Sequence, residues 1–259
     1  MLDIFPMTMK AFKQDRMIRV YLPQNYPSSN KKYPVLYMHD GQNVFRDDGA
    51  IGGVSLELEK YLDEQELDVI VVAIDQNSDE RKNEYCPWEN GAYSKRFLEV
   101  EAPSFGGNGA TYIDFIVEEL KTYIDRTYRT NKNHTAIAGI SMGGLISLYA
   151  ACRYPSIFKD LIILSGAFYA NQEKMEELLK TADLSEIRSL YMDCGTNEGG
   201  MGTFLSNEFL ASNQAIYEAI KRNMPAAKFK VLAGQEHHYR SFQKRVPQLF
   251  SFLTNGVPS

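Results

Sequence analysis

The stretch TAIAGISMGGLISLYAA, residues 135–151, decides how this chain is read. It opens as a short apolar run of strand type, Thr135 to Ala138, and from Met142 onward it is apolar at helical spacing. Between the two lies Gly139-Ile140-Ser141-Met142-Gly143, a G-x-S-x-G pentapeptide with a strand before it and a helix after it. A chain turning directly from strand into helix holds its turning residue in a strained backbone geometry. Glycine is expected two residues before and two after, because side chains there would meet neighbouring backbone. Such a turn lifts the Ser141 hydroxyl above the end of the sheet, at a helix N-terminus. There the Met142 amide and the helix dipole face any developing negative charge. Gly144 adds room for close packing.

Outward from this turn, short β-branched runs alternate with longer segments of helical period, the pattern of βαβ units and a mostly parallel sheet. Strands are expected at Met17 to Leu22, Val35 to Met38, Val69 to Ile74, Thr135 to Ala138, Asp160 to Leu164, Leu190 to Asp193 and Phe229 to Leu232. Helices are expected near 54–66, 110–127, 142–153, 171–180, 206–222 and 240–254. Strands that precede the first helix fit a mixed sheet with an antiparallel edge. Residues 76–109 break the rhythm: they hold Cys86-Pro87-Trp88, Ala102-Pro103-Ser104 and Gly106-Gly107-Asn108-Gly109 without clear periodicity. So long a connection is either a functional loop near the site or an irregular surface excursion. No internal repeat or linker divides the 259 residues, and a single α/β domain spanning 1–259 is expected.

Composition narrows the function. A net charge of −5 without a long single-sign run offers no basic face for nucleic acid or an anionic membrane. No stretch has the apolar length of a spanning helix, and the N-terminus lacks a signal-peptide pattern. The three cysteines, Cys86, Cys152 and Cys194, are too scattered for a disulfide framework or a zinc site. Reduced thiols in a cytoplasmic protein are expected, with no metal and no cofactor. The expected partner is a small molecule, and homo-oligomerisation is left open.

A serine hydroxyl needs a base, and the chain offers four histidines, His39, His134, His237 and His238. In the α/β-hydrolase chain order of Ser, acid and His, the histidine follows the last strand. His237 and His238 both do, through Gly234. His134 precedes the serine's own strand at the opposite end of the sheet, where a structural role is expected. For the acid, YMDCGTNEGG supplies Asp193 and Glu198. Asp193 sits at the strand end and is placed to brace the turn through local amides, whereas the longer arm of Glu198 reaches toward a histidine; both stay candidates. A second oxyanion donor is expected from Met38-His39-Asp40-Gly41-Gln42-Asn43, at the amide of Gly41 or Gln42. His39 and Asp40 either order this loop or face the substrate.

Together these stretches resemble the putative esterase family of α/β-hydrolases, which includes the esterase D (S-formylglutathione hydrolase) enzymes, feruloyl esterase domains and siderophore trilactone esterases. The resemblance covers nearly the whole chain: RVYLPQNY, YPVLYMHDGQNVF, RKNEYCPW, YIDFIVEELKTYIDRTYRT, TAIAGISMGGLISLYAACRYPSIF, DCGTNE and GQEHHYRSFQKRVPQLFSFL. It implies an α/β-hydrolase fold with helices on both faces of the sheet and no large separate cap. It also implies cofactor-free serine esterase chemistry on short-acyl or small aromatic esters. S-formylglutathione, feruloyl or siderophore esters, and acyl transfer with the same triad, are the alternatives. Ser141 matches the family nucleophile. Glu198 follows the G-T-N turn where many members have Asp. Gly234, His237 and Phe242 match a G-x-x-H frame with an aromatic residue five positions on, a frame His238 does not fit; Phe242 stands where Trp is common. The RKNEYCPW segment implies a pocket role for Arg81, Glu84 and Trp88, with an Arg81–Glu84 pair bracing the loop as the other reading.

Overall fold

The computed structural model describes residues 1–98 and 104–254. Among them, eight strands form one sheet. They are β1 (Leu2–Met9), β2 (Gln14–Tyr21), β3 (Tyr33–Met38), β4 (Ile70–Ile74), β5 (Thr130–Ile140), β6 (Asp160–Leu164), β7 (Ser189–Asn197) and β8 (Lys228–Glu236). The spatial order is β1-β2-β4-β3-β5-β6-β7-β8. Every neighbouring pair from β4 to β8 is parallel, whereas β2 runs antiparallel to both β1 and β4. The helices are α1 (Leu58–Glu64), α2 (Arg81–Glu84), α3 (Ala92–Leu98), α4 (Gly109–Asp114), α5 (Lys121–Thr127) and α6 (Met142–Arg153). They continue as α7 (Gln172–Leu179), α8 (Phe204–Asn223), α9 (Tyr239–Gln243), α10 (Val246–Leu249) and α11 (Ser251–Thr254). A π-helical stretch, Phe115–Leu120, joins α4 to α5.

Successive strand residues point to opposite faces, so each continuously apolar strand feeds two cores. Ile70, Val72 and Ile74 join the core formed with α4 to α8; Val69, Val71 and Ala73 join the one formed with α1, α9 and α10. Helices therefore cover both faces, as the βα alternation requires, and no separate cap stands among the described residues.

Three expectations change. The first strand, β1, went unread, because Pro6 interrupts its pattern; at a sheet edge the missing N–H of proline is tolerated. The expected helix 240–254 is three short turns, the second opening with Pro247 near its start, which cannot continue a preceding helix. The 76–109 segment is not irregular throughout. It contains α2 and α3, and its two ends are tied together: Gly106 N donates to Asn83 Oδ1 (2.9 Å), Asn108 N to Asn83 O (3.0 Å) and Gly107 N to Cys86 O (3.0 Å). Gly106 has φ +102°, and a Cβ there would lie 2.2 Å from the Trp88 carbonyl oxygen. Residues 99–103, including Ala102-Pro103, lie outside the described residues.

Candidate active site

β5 runs into α6 through Ser141, whose φ of 58° and ψ of −125° put an L-residue in a sterically unfavourable region. The strain is held by neighbours on both sides. Ser141 N donates to Leu164 O at the end of β6 (3.1 Å), and Ser141 O accepts from Gly144 N and Ala167 N (both 2.9 Å). Of the flanking glycines, Gly139 is sterically obligatory: a Cβ there would lie 2.0 Å from Gly143 O. The expectation for Gly143 is corrected, since a Cβ there would meet His39 Cβ at an ordinary 3.4 Å. The second tight position is Gly144, 2.8 Å from Ile163 Cγ2, because α6 crosses β6 there.

The chain leaving β8 delivers two histidines to different tasks. His237 Nδ1 lies 2.6 Å from Glu198 Oε2, on the loop that follows β7. Its ring is flanked nearly edge-on by Phe209 and Phe242, each with centroids at 5.3 Å. His238 instead caps α9: its Nδ1 accepts from Ser241 N (3.2 Å), so Nε2 carries the proton donated to Glu236 Oε2 (2.9 Å). His134 lies with Nε2 3.7 Å from Asp160 Oδ2, where β5 meets the start of β6.

The two acid candidates also separate. Glu198 Oε1 accepts from Ser165 Oγ (2.5 Å) and Gly195 N (2.6 Å), while Oε2 faces His237. Burial alone would push this carboxyl up, but the bonds from His237, Ser165 and Gly195 outweigh it and hold it below its ordinary value. Asp193, fully buried, does not brace local amides. It accepts from Arg245 Nη1 (3.0 Å) and Tyr191 Oη (3.1 Å), and burial pushes it up to about 6 against the pull of Arg245.

The loop after β3 is rigidly held. Asp40 adopts φ 57°, and its carboxylate takes a bidentate pair from Arg81, with Nε to Oδ1 at 2.7 Å and Nη2 to Oδ2 at 2.9 Å. Gln42 exchanges two bonds with the backbone of Gln76 (2.7 and 2.9 Å). Gly41 packs so closely on the end of β4 that a Cβ would lie 2.8 Å from Asp75 N.

Asp40, Arg81, Ser141 and His237 line one cavity of about 300 Å³ with Asn43, Ile51, Gln76, Ile140, His238, Tyr239 and Phe242. His39, Glu84 and Trp88 are not among the lining residues, which corrects the expected pocket. His39 is buried beneath the turn. Ser147 Oγ donates to Gly143 O (2.8 Å), so His39 Nε2 donates to Ser147 Oγ (3.1 Å) and Tyr112 Oη to His39 Nδ1 (2.9 Å). Burial lowers this imidazole to about 4, in keeping with a neutral structural ring. Glu84 forms a buried bidentate pair with Arg16 (2.7 and 2.9 Å), not with Arg81. Trp88 packs edge-on against Tyr149, with centroids at 5.3 Å, and its backbone is held by Asn171.

A serine at a strained strand–helix turn, beside a carboxylate-held histidine, is the arrangement of an α/β-hydrolase, and comparison with known proteins agrees. The profile of the family described as Putative esterase matches residues 9–253. This chain belongs to that family. The esterase is a carboxylic ester hydrolase by that membership. It is 25% identical over 249 residues to the uncharacterized protein YbbA of Bacillus subtilis, covering 92% of each chain. Its fold is shared by an IroE-like serine hydrolase from Shewanella oneidensis, with TM-score 0.76, 20% identity, and 96% and 78% of the two chains covered. The siderophore hydrolase EstA of Aspergillus nidulans also shares it, with TM-score 0.72, 16% identity, and 96% and 93% covered.

Sequence reasoning passed over Ser165, Phe209 and Arg245 in the esterase. Ser165 follows β6, Phe209 lies within α8 and Arg245 immediately precedes α10, and none stands at a spacing that marks a site. The one legible cue was Phe242, five positions after His237.

Proposed function

We propose that this esterase cleaves small carboxylic esters through an acyl-enzyme on Ser141. The observation that carries the reading is the strained Ser141 sharing a cavity with His237, whose far nitrogen is held by Glu198 at 2.6 Å. His237, fixed with its proton on Nδ1, accepts the Ser141 proton at Nε2 as the hydroxyl attacks the ester carbonyl. Glu198 orients the imidazole and stabilises its charged form. Met142, the first residue of α6, has an amide without a carbonyl partner inside the helix, so it is available to the oxyanion. The amide of Gly41 or Gln42, on the pinned 40–42 loop, supplies the second donor. His237 then protonates the leaving alcohol, and water releases the acyl group by the reverse sequence.

The small cavity, with Ile51, Ile140 and Phe242 beside Asn43, Gln76 and Tyr239, supports short-acyl or small aromatic esters over a bulky trilactone. Arg81 is already committed to Asp40, which disfavours a thioester with an anionic thiol leaving group such as glutathione. The unpaired cysteines support a reducing, cytoplasmic setting. No helix among the described residues is long and apolar enough to cross a membrane.

A panel of p-nitrophenyl, feruloyl, siderophore and thioester substrates, run with and without a competing alcohol, tests both the substrate class and hydrolysis against acyl transfer. Ser141→Ala is expected to lose roughly 10⁴-fold or more in kcat together with labelling by a fluorophosphonate. Labelling that survives this substitution would refute the nucleophile.

A further inference from the structure

Behind Glu198 lies a second set of charges that the acyl-transfer steps do not use. Arg245, just before α10, donates through Nη1 to Ser165 Oγ (2.6 Å) and Asp193 Oδ1 (3.0 Å). Its Nη2 bonds Ser241 Oγ at 3.3 Å and lies 3.7 Å from Glu198 Oε1. Arg245, Asp193 and Ser165 are all buried. A guanidinium only donates, so Ser165 Oγ must accept from Arg245, and its single proton is left for Glu198 Oε1. With Gly195 N as a second donor, Oε1 is occupied and Oε2 is aimed at His237.

The charges add a second constraint. Alone, Arg245 would neutralise Glu198 and compete with the imidazole as it becomes charged. Asp193 offsets that guanidinium, so Arg245, Asp193 and Glu198 together carry one net negative charge, opposite in sign to the imidazolium. We infer that Asp193 and Arg245 are a positioning pair for the triad acid: Arg245, through Ser165, orients the Glu198 carboxylate, and Asp193 cancels the Arg245 charge so that Glu198 acts on His237 undiminished. This rests on the serine-hydrolase reading above.

The groups facing Glu198 come from four directions: Ser165 after β6, Asp193, Cys194 and Gly195 N from β7, His237 after β8, and Arg245 before α10. Tyr191 faces Asp193 from behind. The upward push on Asp193 includes repulsion from Glu198, so the two carboxylates sense each other across Arg245.

The test is the pH profile of kcat/KM on p-nitrophenyl acetate for Asp193→Asn and Arg245→Gln, beside Ser141→Ala. Activity needs the neutral imidazole. Removing a negative charge hinders its protonation, so Asp193→Asn moves the acid limb down by about one pH unit. Arg245→Gln moves it up by about as much, the effect of a unit charge on the order of 10 Å away at an effective dielectric near 20. Each variant loses about tenfold in kcat with KM nearly unchanged. A purely structural pair would lower stability and leave both limbs in place; unmoved limbs, or limbs moving the same way, would overturn the inference. Should either variant fail to fold, Ser165→Ala carries the test. It is expected to lose about tenfold in kcat with KM nearly unchanged, and an unchanged kcat would overturn the orienting role. If Ser141→Ala keeps turnover, the hydrolase reading falls and takes this inference with it. An inactive Ser141→Ala beside unmoved limbs sinks this inference alone.

Discussion

Glu198→Gln removes a charge without removing a shape, and the surrounding bonds dictate where the new amide must point. The Oε1 position receives two donors, Ser165 Oγ and Gly195 N, and only an oxygen can accept them. The glutamine oxygen therefore takes that place, and its NH₂ is turned toward His237 Nδ1. An amide donating to Nδ1 makes that nitrogen an acceptor and moves the imidazole proton to Nε2, where it can no longer take the Ser141 proton. The lost attraction is worth about 4 kcal/mol for charge centres about 4 Å apart at an effective dielectric near 20. That corresponds to roughly 10³-fold in kcat, and the wrong tautomer brings the total to roughly 10³–10⁴. Steady-state kinetics on p-nitrophenyl acetate, with thermal melts to verify folding, measure this directly. A folded Glu198→Gln enzyme that keeps more than about a tenth of its turnover refutes the reasoning. The same holds if Asp193→Asn proves the more damaging of the two.

The elbow and the buried histidine give two further expectations. Gly139→Ala puts a methyl 2.0 Å from Gly143 O and is expected to cost about 3 kcal/mol or more and abolish activity. Gly143→Ala, in ordinary contact, stays within about 1 kcal/mol; equal losses in chemical denaturation would contradict this. His39, held neutral with its ring lowered to about 4 by burial, binds fewer protons in the folded than in the unfolded state between about 4 and 6.5. Its contribution, complete above pH 6.5, is lost as pH falls through that window and amounts to about 3 kcal/mol. His39→Gln should remove that slope from a stability-versus-pH series in urea, and an unaltered slope would show that other groups produce it.

Much of the fold was legible because its signals are local. The continuous apolar runs of β4 and β6, buried on both faces, the all-buried run of α6 and the helical period of α8 appear within single segments. β1 was hidden by Pro6, whose acceptability depends on lying at an edge, a property of the sheet and not of the segment. The strap 76–109 looked irregular because its order comes from bonds between residues some twenty positions apart, such as Asn83 with Gly106. The expected partners of Arg81 and Glu84 failed for the same reason. An Arg81–Glu84 pair was one of the two readings of that segment, whereas each residue reaches a different strand, Asp40 after β3 and Arg16 on β2.

The sequence by itself determined that a serine stands on a strand-to-helix turn, and that an acid and a histidine follow in hydrolase order. Those facts depend on glycine spacing and chain order, which short-range sterics impose. Only the tertiary structure decided between Glu198 and Asp193 as the neighbour of His237, and between His237 and His238 as the ring that Glu198 holds. It also separated the pinned 40–42 loop from the buried His39 beside it. Each of those choices depends on which donor lies within hydrogen-bond reach, a distance set by the packing of four strand ends against one another. No local pattern in the chain encodes it.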